Sequence, residues 1–171
     1  GAARVIADLH AAGLRTAMLS GDNARTTRAF ARRLGIDDVR ADLKPADKVA
    51  AIQQLQKQYG AVLMVGDGVN DAPALAAATC GVAMGAAGTD AAIEAADVAL
   101  MADDIAKVEE ALTLGRKARR ISVQNIVFSI LVLAIMIPLA LSSWLSVAVI
   151  VLVHEASELL AVANGLRAGR T

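Results

Sequence analysis

The sequence predicts an α/β domain with a parallel sheet, followed by a hairpin of two membrane-crossing helices. Three observations predict it. Apolar runs of strand length alternate with helical patterns through residues 1–102. A glycine turn carrying two carboxylates, Gly66-Asp67-Gly68-Val69-Asn70-Asp71-Ala72-Pro73-Ala74-Leu75, follows the apolar run Ala61-Val62-Leu63-Met64-Val65. Residues 121–153 contain no charged side chain.

The elements follow in order. Residues 2–12 read as a helix, and 14–19 as a strand leading into Ser20-Gly21-Asp22. Residues 23–34 form a helical pattern stopped by Gly35, since glycine tolerates the left-handed conformation that ends helices. Residues 39–41 read as a short strand, and 46–59 as a helix stopped by Gly60. Strands are predicted at 62–65, 82–84 and 98–101, with helices between. In a parallel sheet of this kind ligands sit beyond the carboxyl ends of the strands. Ser20, Asp67 and Asp71 all fall at such ends, which predicts one shared site.

The glycine turn carries its own chemistry. Asp67 and Asp71, four residues apart at the end of a buried strand, suit Mg²⁺, a hard cation that takes oxygen ligands and bridges to phosphate. Gly66 and Gly68 let the backbone approach an anion closely. The Asn70 amide can donate to a phosphoryl oxygen.

These residues resemble the P-type ATPases, and the resemblance runs along nearly the whole chain. It is carried by Leu19-Ser20-Gly21-Asp22-Asn23, Lys44-Pro45-Ala46-Asp47-Lys48, the turn at 66–75, Ala83-Met84-Gly85 with Gly88-Thr89-Asp90, and Ala96-Asp97-Val98-Ala99-Leu100-Met101. The flanking runs are similar to the carboxyl-terminal part of heavy-metal pumps. The resemblance implies a phosphorylation domain of haloacid-dehalogenase type over residues 1–102. In it Ser20 would hydrogen-bond a phosphoryl group and Gly21 supply a backbone N–H. Asp22 and Asn23 would shape the turn and contact nucleotide or a moving domain. Lys48 would neutralise the phosphoryl group and the acyl-phosphate carboxylate. Asp67 would bind Mg²⁺, and Asn70 and Asp71 would hold the phosphoryl environment. Without the resemblance, Lys48 reads as a solvated first-turn lysine, and Thr89-Asp90 as a helix cap.

The resemblance also implies ATP as the phosphoryl source and an aspartyl-phosphate intermediate. The family's nucleophile lies in an Asp-Lys-Thr-Gly-Thr segment, which these 171 residues do not contain. That segment, the nucleotide-binding and actuator domains and six earlier membrane helices are expected upstream. The chain begins with Gly1 and is expected to be part of a longer pump, inactive alone.

In the membrane part, residues 103–120 read as a linker helix ending in Arg116, Lys117, Arg119 and Arg120. Spans follow at 121–143 and 144–166, then a tail at 167–171. Basic residues at both ends of the hairpin, Arg167 and Arg170 included, predict cytoplasmic termini. Pro138 is expected to kink the first span or end its regular part. Ser142-Ser143 makes the turn, and Trp144 suits the opposite interface. A span needs about 20 residues, so His154, Glu155 and Glu158 fall near mid-membrane, where polar groups need partners. His154 and Glu158 share a helix face and offer the nitrogen and oxygen donors of a borderline divalent metal. Glu155 points elsewhere, as ligand, supporting partner or proton acceptor. Asn164 is a further polar candidate. An interhelix hydrogen-bond cluster without an ion is the alternative.

Within the family, neither the copper pattern (Tyr-Asn, then Met/Ser) nor the zinc, cadmium and lead pattern (lysine, then aspartate) occurs. The cobalt-type His-Glu-Gly-Gly-Thr is matched by His154-Glu155, with Ala156, Ser157 and Glu158 in place of the rest. The resemblance therefore implies an exporter of cobalt, zinc, iron or nickel in the cell membrane. A membrane-anchored Mg²⁺- or phosphate-binding module that regulates a transporter is the rival. A small phosphatase of the same fold is disfavoured by the missing nucleophile. Zero formal net charge gives no sign of a nucleic-acid partner, and Cys80 reads as a small core residue.

Overall fold

The computed structural model describes residues 1–66, 69–85, 94–102, 104–142 and 145–169. The chain divides into two compact units, Gly1–Glu110 and Ala111–Thr171.

The first unit contains α1 (Ala2–Ala11), β1 (Ala17–Leu19), α2 (Ala24–Leu34), β2 (Asp38–Arg40) and α3 (Pro45–Tyr59). There follow β3 (Leu63–Gly66), a 3-10 turn (Val69–Asp71), α4 (Ala72–Ala77), β4 (Cys80–Met84) and β5 (Val98–Leu100). Every strand pairing is parallel, as the alternation predicts. The pairings form two ladders, β1-β2 and β3-β4-β5, where the sequence predicts one sheet. β1 and β3 each keep one edge without a strand partner among the described residues.

Local chemistry sets the boundaries. The Asn23 side chain accepts from the Thr26 N–H at 3.0 Å and starts α2. Gly35, at φ 77°, ends it in the left-handed region. Pro45 opens α3, where its missing N–H costs nothing, and the Asp47 carboxylate accepts from the Lys44 N–H at 2.9 Å. β1 starts later than the apolar run suggests because that run still closes α1. Leu14 N–H donates to the Leu9 carbonyl, and Thr16 Oγ1 lies 2.8 Å from His10 Nε2.

Two hydrophobic clusters hold the unit. Ile6, Ala31 and Ile36 form one, with Met18 and Val39 against it. Ile52, Met64, Ala74, Leu75 and Ala83 form the other, with Leu19 against it. Met18 and Leu19 are adjacent on β1, and successive strand residues point to opposite faces. β1 is therefore covered on both sides, the arrangement expected of a parallel sheet.

The second unit holds residues 111–141 of α5 (Ala106–Leu141) and all of α6 (Val147–Gly165). The separate linker helix predicted at 103–120 and the span predicted at 121–143 are one helix of 36 residues. Nothing before Pro138 removes a backbone donor, so the helix has no reason to stop at the charge boundary. The helix also continues through Pro138 to Leu141, where the sequence predicts a kink or an end to its regular part. The lost N–H falls close to the helix end, where Ser142 N–H donates to the Pro138 carbonyl at 2.9 Å and Ser142 Oγ to Leu139 at 2.9 Å. Trp144 and Ser143, the cap at Thr89-Asp90, and Arg170 lie outside the described residues.

Both helices are long and apolar enough to cross a membrane, with mean hydropathy 2.3 and 1.6. At 1.5 Å per residue α5 is about 54 Å long and α6 about 28 Å, against a hydrocarbon core of about 30 Å. Ile126, Ile130, Leu131, Ile135 and Ile137 of α5 are exposed, and α6 buries no residue. Faces this apolar are covered by lipid or by other helices.

Two glycines make opposite predictions. A Cβ on Gly81 would lie 2.7 Å from the Leu75 carbonyl oxygen, so Gly81→Ala must push α4 from β4. It should destabilise the chain by about 1–3 kcal/mol. Gly115 lies inside α5 with nothing within 4 Å of a built Cβ. Gly115→Ala should stabilise by up to about 1 kcal/mol. Urea unfolding of both variants checks the two signs.

Candidate phosphoryl and metal sites

Polar groups stand beyond the carboxyl ends of β1 and of β3 in the first unit. Beyond β1, Ser20 N–H donates to the Arg40 carbonyl at 3.0 Å, continuing the ladder with β2. Asp42 adopts φ 56°, a conformation Asp tolerates better than most residues. From it the Asp42 N–H reaches the Asp22 carbonyl at 2.8 Å, and the Leu43 N–H reaches that of Ser20 at 3.0 Å. Thr27, only 2% exposed, donates its hydroxyl towards the carbonyls of Asn23, at 3.1 Å, and Asp22, at 3.3 Å. A Cβ on Gly21 would meet the Leu43 carbonyl oxygen at 3.2 Å. The loop at 20–23 is thus held from both sides.

Within it, Asp22 N–H donates to Ser20 Oγ at 3.1 Å, and Ser20 Oγ lies 3.3 Å from Asp22 Oδ2. The Asn23 side chain is used as the α2 cap, which accounts for its place in the turn.

The most buried ion pair among the described residues lies beyond β3. Lys48, in the first turn of α3, places Nζ 2.6 Å from Asp71 Oδ1, and both side chains are mostly buried, at 14% and 13% exposure. Gly66 makes the approach possible, because a Cβ there would lie 2.8 Å from Asp71 Cβ. The resemblance implies phosphate for Lys48, which by its own pattern reads as solvated but is mostly buried, and the glycine turn suits Asp71 to Mg²⁺; their ion pair is legible only in the fold. One Asp71 oxygen is engaged by the lysine, which leaves Oδ2 as the hard donor that a cation would use. Asn70 is exposed beside it, and Asp67 lies outside the described residues. No hydrogen bond among the described residues joins the Ser20 loop to the Lys48–Asp71 pair. Cys80 is half-buried at the start of β4; burial pushes its thiol pKa up and the Asp97 carboxylate adds to the shift. A protonated thiol there suits packing better than metal binding.

In the second unit, His154 Nε2 and Glu158 Oε1 lie 3.2 Å apart on one face of α6. They stand two residues either side of Ala156, the middle of the 19-residue helix. Glu155 does not join them: among the described residues no three His, Cys, Asp or Glu side chains gather. A quarter-turn separates it from the shared face. Ser157 spends its hydroxyl on the His154 carbonyl at 2.7 Å. Sequence reasoning missed Asn125. Its amide donates to the Ala161 carbonyl at 2.9 Å, and its Oδ1 accepts from Asn164 at 2.8 Å, joining α5 to α6. The available signal was an amide side chain in an apolar span, which needs a partner.

A parallel α/β unit with Ser20 and Asp71 beyond its strand ends and Lys48 in the first turn of α3 is followed by two helices long and apolar enough to cross a membrane. The family described as haloacid dehalogenase-like hydrolase matches residues 1–79. The chain is 50% identical over 99% of its length to a probable cation-transporting ATPase G of Mycobacterium tuberculosis. It is 47% identical over 95% of its length to a probable cadmium-transporting ATPase of Listeria monocytogenes. The crystal structure of a zinc-transporting PIB-type ATPase in an E2.Pi state superposes on 98% of the chain with a TM-score of 0.91 and 38% identity. Over nearly its whole length the chain is similar to a part of P-type ATPases that transport heavy metals and other cations. It spans about a fifth of the first two relatives, 22% and 23%, and 27% of the third.

The ion pair yields a prediction. Removing one partner strands a mostly buried charge, whereas removing both does not. Lys48→Met or Asp71→Leu alone should destabilise by roughly 2–4 kcal/mol, and the double variant by clearly less than the sum. A double-mutant cycle by urea unfolding measures the difference.

Proposed function

We propose that this chain supplies the phosphoryl-binding half of the catalytic site and the last two membrane helices of an ATP-driven heavy-metal exporter. The observation that carries the proposal is the co-occurrence, in one 171-residue chain, of the mostly buried Lys48–Asp71 pair and the mid-helix His154–Glu158 pair.

In the first site, Lys48 neutralises phosphoryl charge, and Ser20 with the Gly21 N–H orients the group by hydrogen bonds. Asn70 donates from the exposed turn. Electrostatic stabilisation and positioning are the protein's main contributions to phosphoryl transfer. Asp71, together with Asp67, holds Mg²⁺. When bound, the ion shields the charge of the phosphoryl oxygens. Among the described residues one edge of β1 and one of β3 have no strand partner, and a further strand of a longer protein could pair with them. A strand there would bring the nucleophilic aspartate to the carboxyl ends where Ser20 and Asp71 stand. By itself the chain forms no acyl phosphate.

In the second site, His154 and Glu158 bind the transported cation, with further ligands from helices outside this chain. An imidazole and a carboxylate favour a borderline divalent ion such as zinc, cobalt or nickel. The names of the relatives point to zinc and cadmium, and the His154-Glu155 match points to the cobalt-type subgroup. Basic residues at the base of both helices, Arg116 to Arg120 on α5 and Arg167 after α6, favour cytoplasmic ends for the hairpin. The reading as a stand-alone regulatory module has less support, because nearly the whole chain aligns with one piece of longer pumps.

His154→Ala or Glu158→Ala in the complete pump should lower metal-stimulated ATPase activity at least about tenfold, since even a group that only supports a ligand contributes ten- to a hundredfold. Phosphorylation by inorganic phosphate should survive. Unchanged metal stimulation in both variants sinks the ligand assignment.

A further inference from the structure

A cavity of about 510 Å³ opens at the base of the hairpin, lined by Lys117, Arg120, Ile121, Gln124 and Arg167. Three of its five lining side chains are cationic and none is acidic. Its depth is set by sequence. Arg120 is the last charged residue of α5, and the uncharged run begins at Ile121, which is 8% exposed. The cavity therefore stands where a charged helix surface gives way to apolar Ile126 and Val127, both exposed.

One of the cations is held in place by the contact between the helices. Asn125 donates to the Ala161 carbonyl, Asn164 donates to Asn125 Oδ1, and an Arg167 guanidinium N–H donates to Asn164 Oδ1 at 2.9 Å. The amide pair thus joins the helices and aims Arg167. Of the five N–H donors of a guanidinium, one is spent on Asn164. Fixing a long side chain in advance lowers the cost of ordering it on binding.

We propose that this cavity binds the phosphodiester headgroup of one anionic lipid of the cytoplasmic leaflet. Arg120 and Arg167 contact the phosphate, Lys117 adds positive potential, and the Gln124 amide reaches the glycerol or phosphate oxygens. The acyl chains lie along the apolar face above Ile121. A basic pocket between membrane helices on the cytoplasmic side has the chemistry that anionic headgroups require, and a guanidinium matches a phosphate with two parallel hydrogen bonds. The inference rests on the proposed reading that α5 and α6 span the membrane with their basic ends in the cytosol.

The test uses the complete pump, purified from membranes containing phosphatidylglycerol and weighed by native mass spectrometry. The wild type should retain one phosphatidylglycerol that zwitterionic lipid does not replace. Each cation near an anionic leaflet contributes roughly fivefold in affinity, so Arg120→Gln/Arg167→Gln should weaken retention roughly 25-fold. Asn164→Leu keeps every charge yet should weaken retention several-fold, because Arg167 loses its anchor. Arg119→Gln, a change of charge outside the cavity, should weaken it clearly less than Arg120→Gln or Arg167→Gln alone, because it loses only the diffuse surface attraction. Equal losses in Arg119→Gln, or full retention in the double variant, would overturn the site. Displacement by millimolar inorganic phosphate would make it a site for soluble anions and equally overturn the lipid. Should the double variant misfold, titration of wild-type pump decides: phosphatidylglycerol should raise its melting temperature saturably, and a flat response overturns the proposal. The lipid is counted without metal, so its failure leaves the His154–Glu158 assignment standing. A pump that leaves the membrane in carbonate washes would instead defeat the spanning reading.

Discussion

The Lys48–Asp71 ion pair is the interaction on which the first unit's site depends. Two opposite charges, both mostly buried, stand 2.6 Å apart between the first turn of α3 and the turn that follows β3. Neither charge is tolerable there alone, because desolvation of an unpaired ion costs several kcal/mol. The pair therefore constrains the backbone around it. Gly66 must lack a side chain, and Pro45 must begin α3 where it does so that Lys48 falls in the first turn. The same pair can be exchanged for another partner. A phosphoryl group can take over the ammonium, and a cation can take over the carboxylate, without either becoming an unpaired buried charge.

The hairpin obeys the same rule in a drier solvent. Hydrocarbon offers no hydrogen bonds, so polar groups in the apolar parts of α5 and α6 gain from partners in protein. Asn125 and Asn164 find each other. Ser157 returns its hydroxyl to its own helix, and His154 and Glu158 pair across one turn. Only the last pair is made of groups that can exchange a neighbour for a metal ion. Amide-to-amide and hydroxyl-to-carbonyl bonds are neutral and fix geometry. An imidazole and a carboxylate are the donor types that a borderline divalent cation takes.

Glycine and proline play different parts in the two units. Gly66 and Gly81 are required by contact, since a Cβ at either would lie within 3 Å of Asp71 or Leu75. Gly35 is required by conformation, at φ 77°. Gly115 is required by neither. Pro45 opens a helix, whereas Pro138 lies inside one, and its position three residues before the end limits the damage.

Much was legible in the sequence. Asn23 and Gly35 bound α2, and the glycine turn marks the carboxyl end of β3. The apolar alternation gives parallel strands, the uncharged run gives the hairpin, and the motif order gives the family. These signals are local: a cap, a turn or a period is set by residues within about one helical turn of each other. The division into two ladders was not legible, because strand pairing joins segments far apart in the chain. Nor was the helix that runs unbroken from Ala106 to Leu141, since a change from charged to apolar composition does not interrupt backbone hydrogen bonds. Lys48 and Asp71 were each recognisable by type, as were His154 and Glu158. That Asp71 is paired before any ligand arrives, that Glu155 stands apart, and that Asn125 meets Asn164 were decided by tertiary structure alone. Packing brings residues 23 and 39 positions apart to hydrogen-bonding distance, and no pattern within either segment encodes its partner.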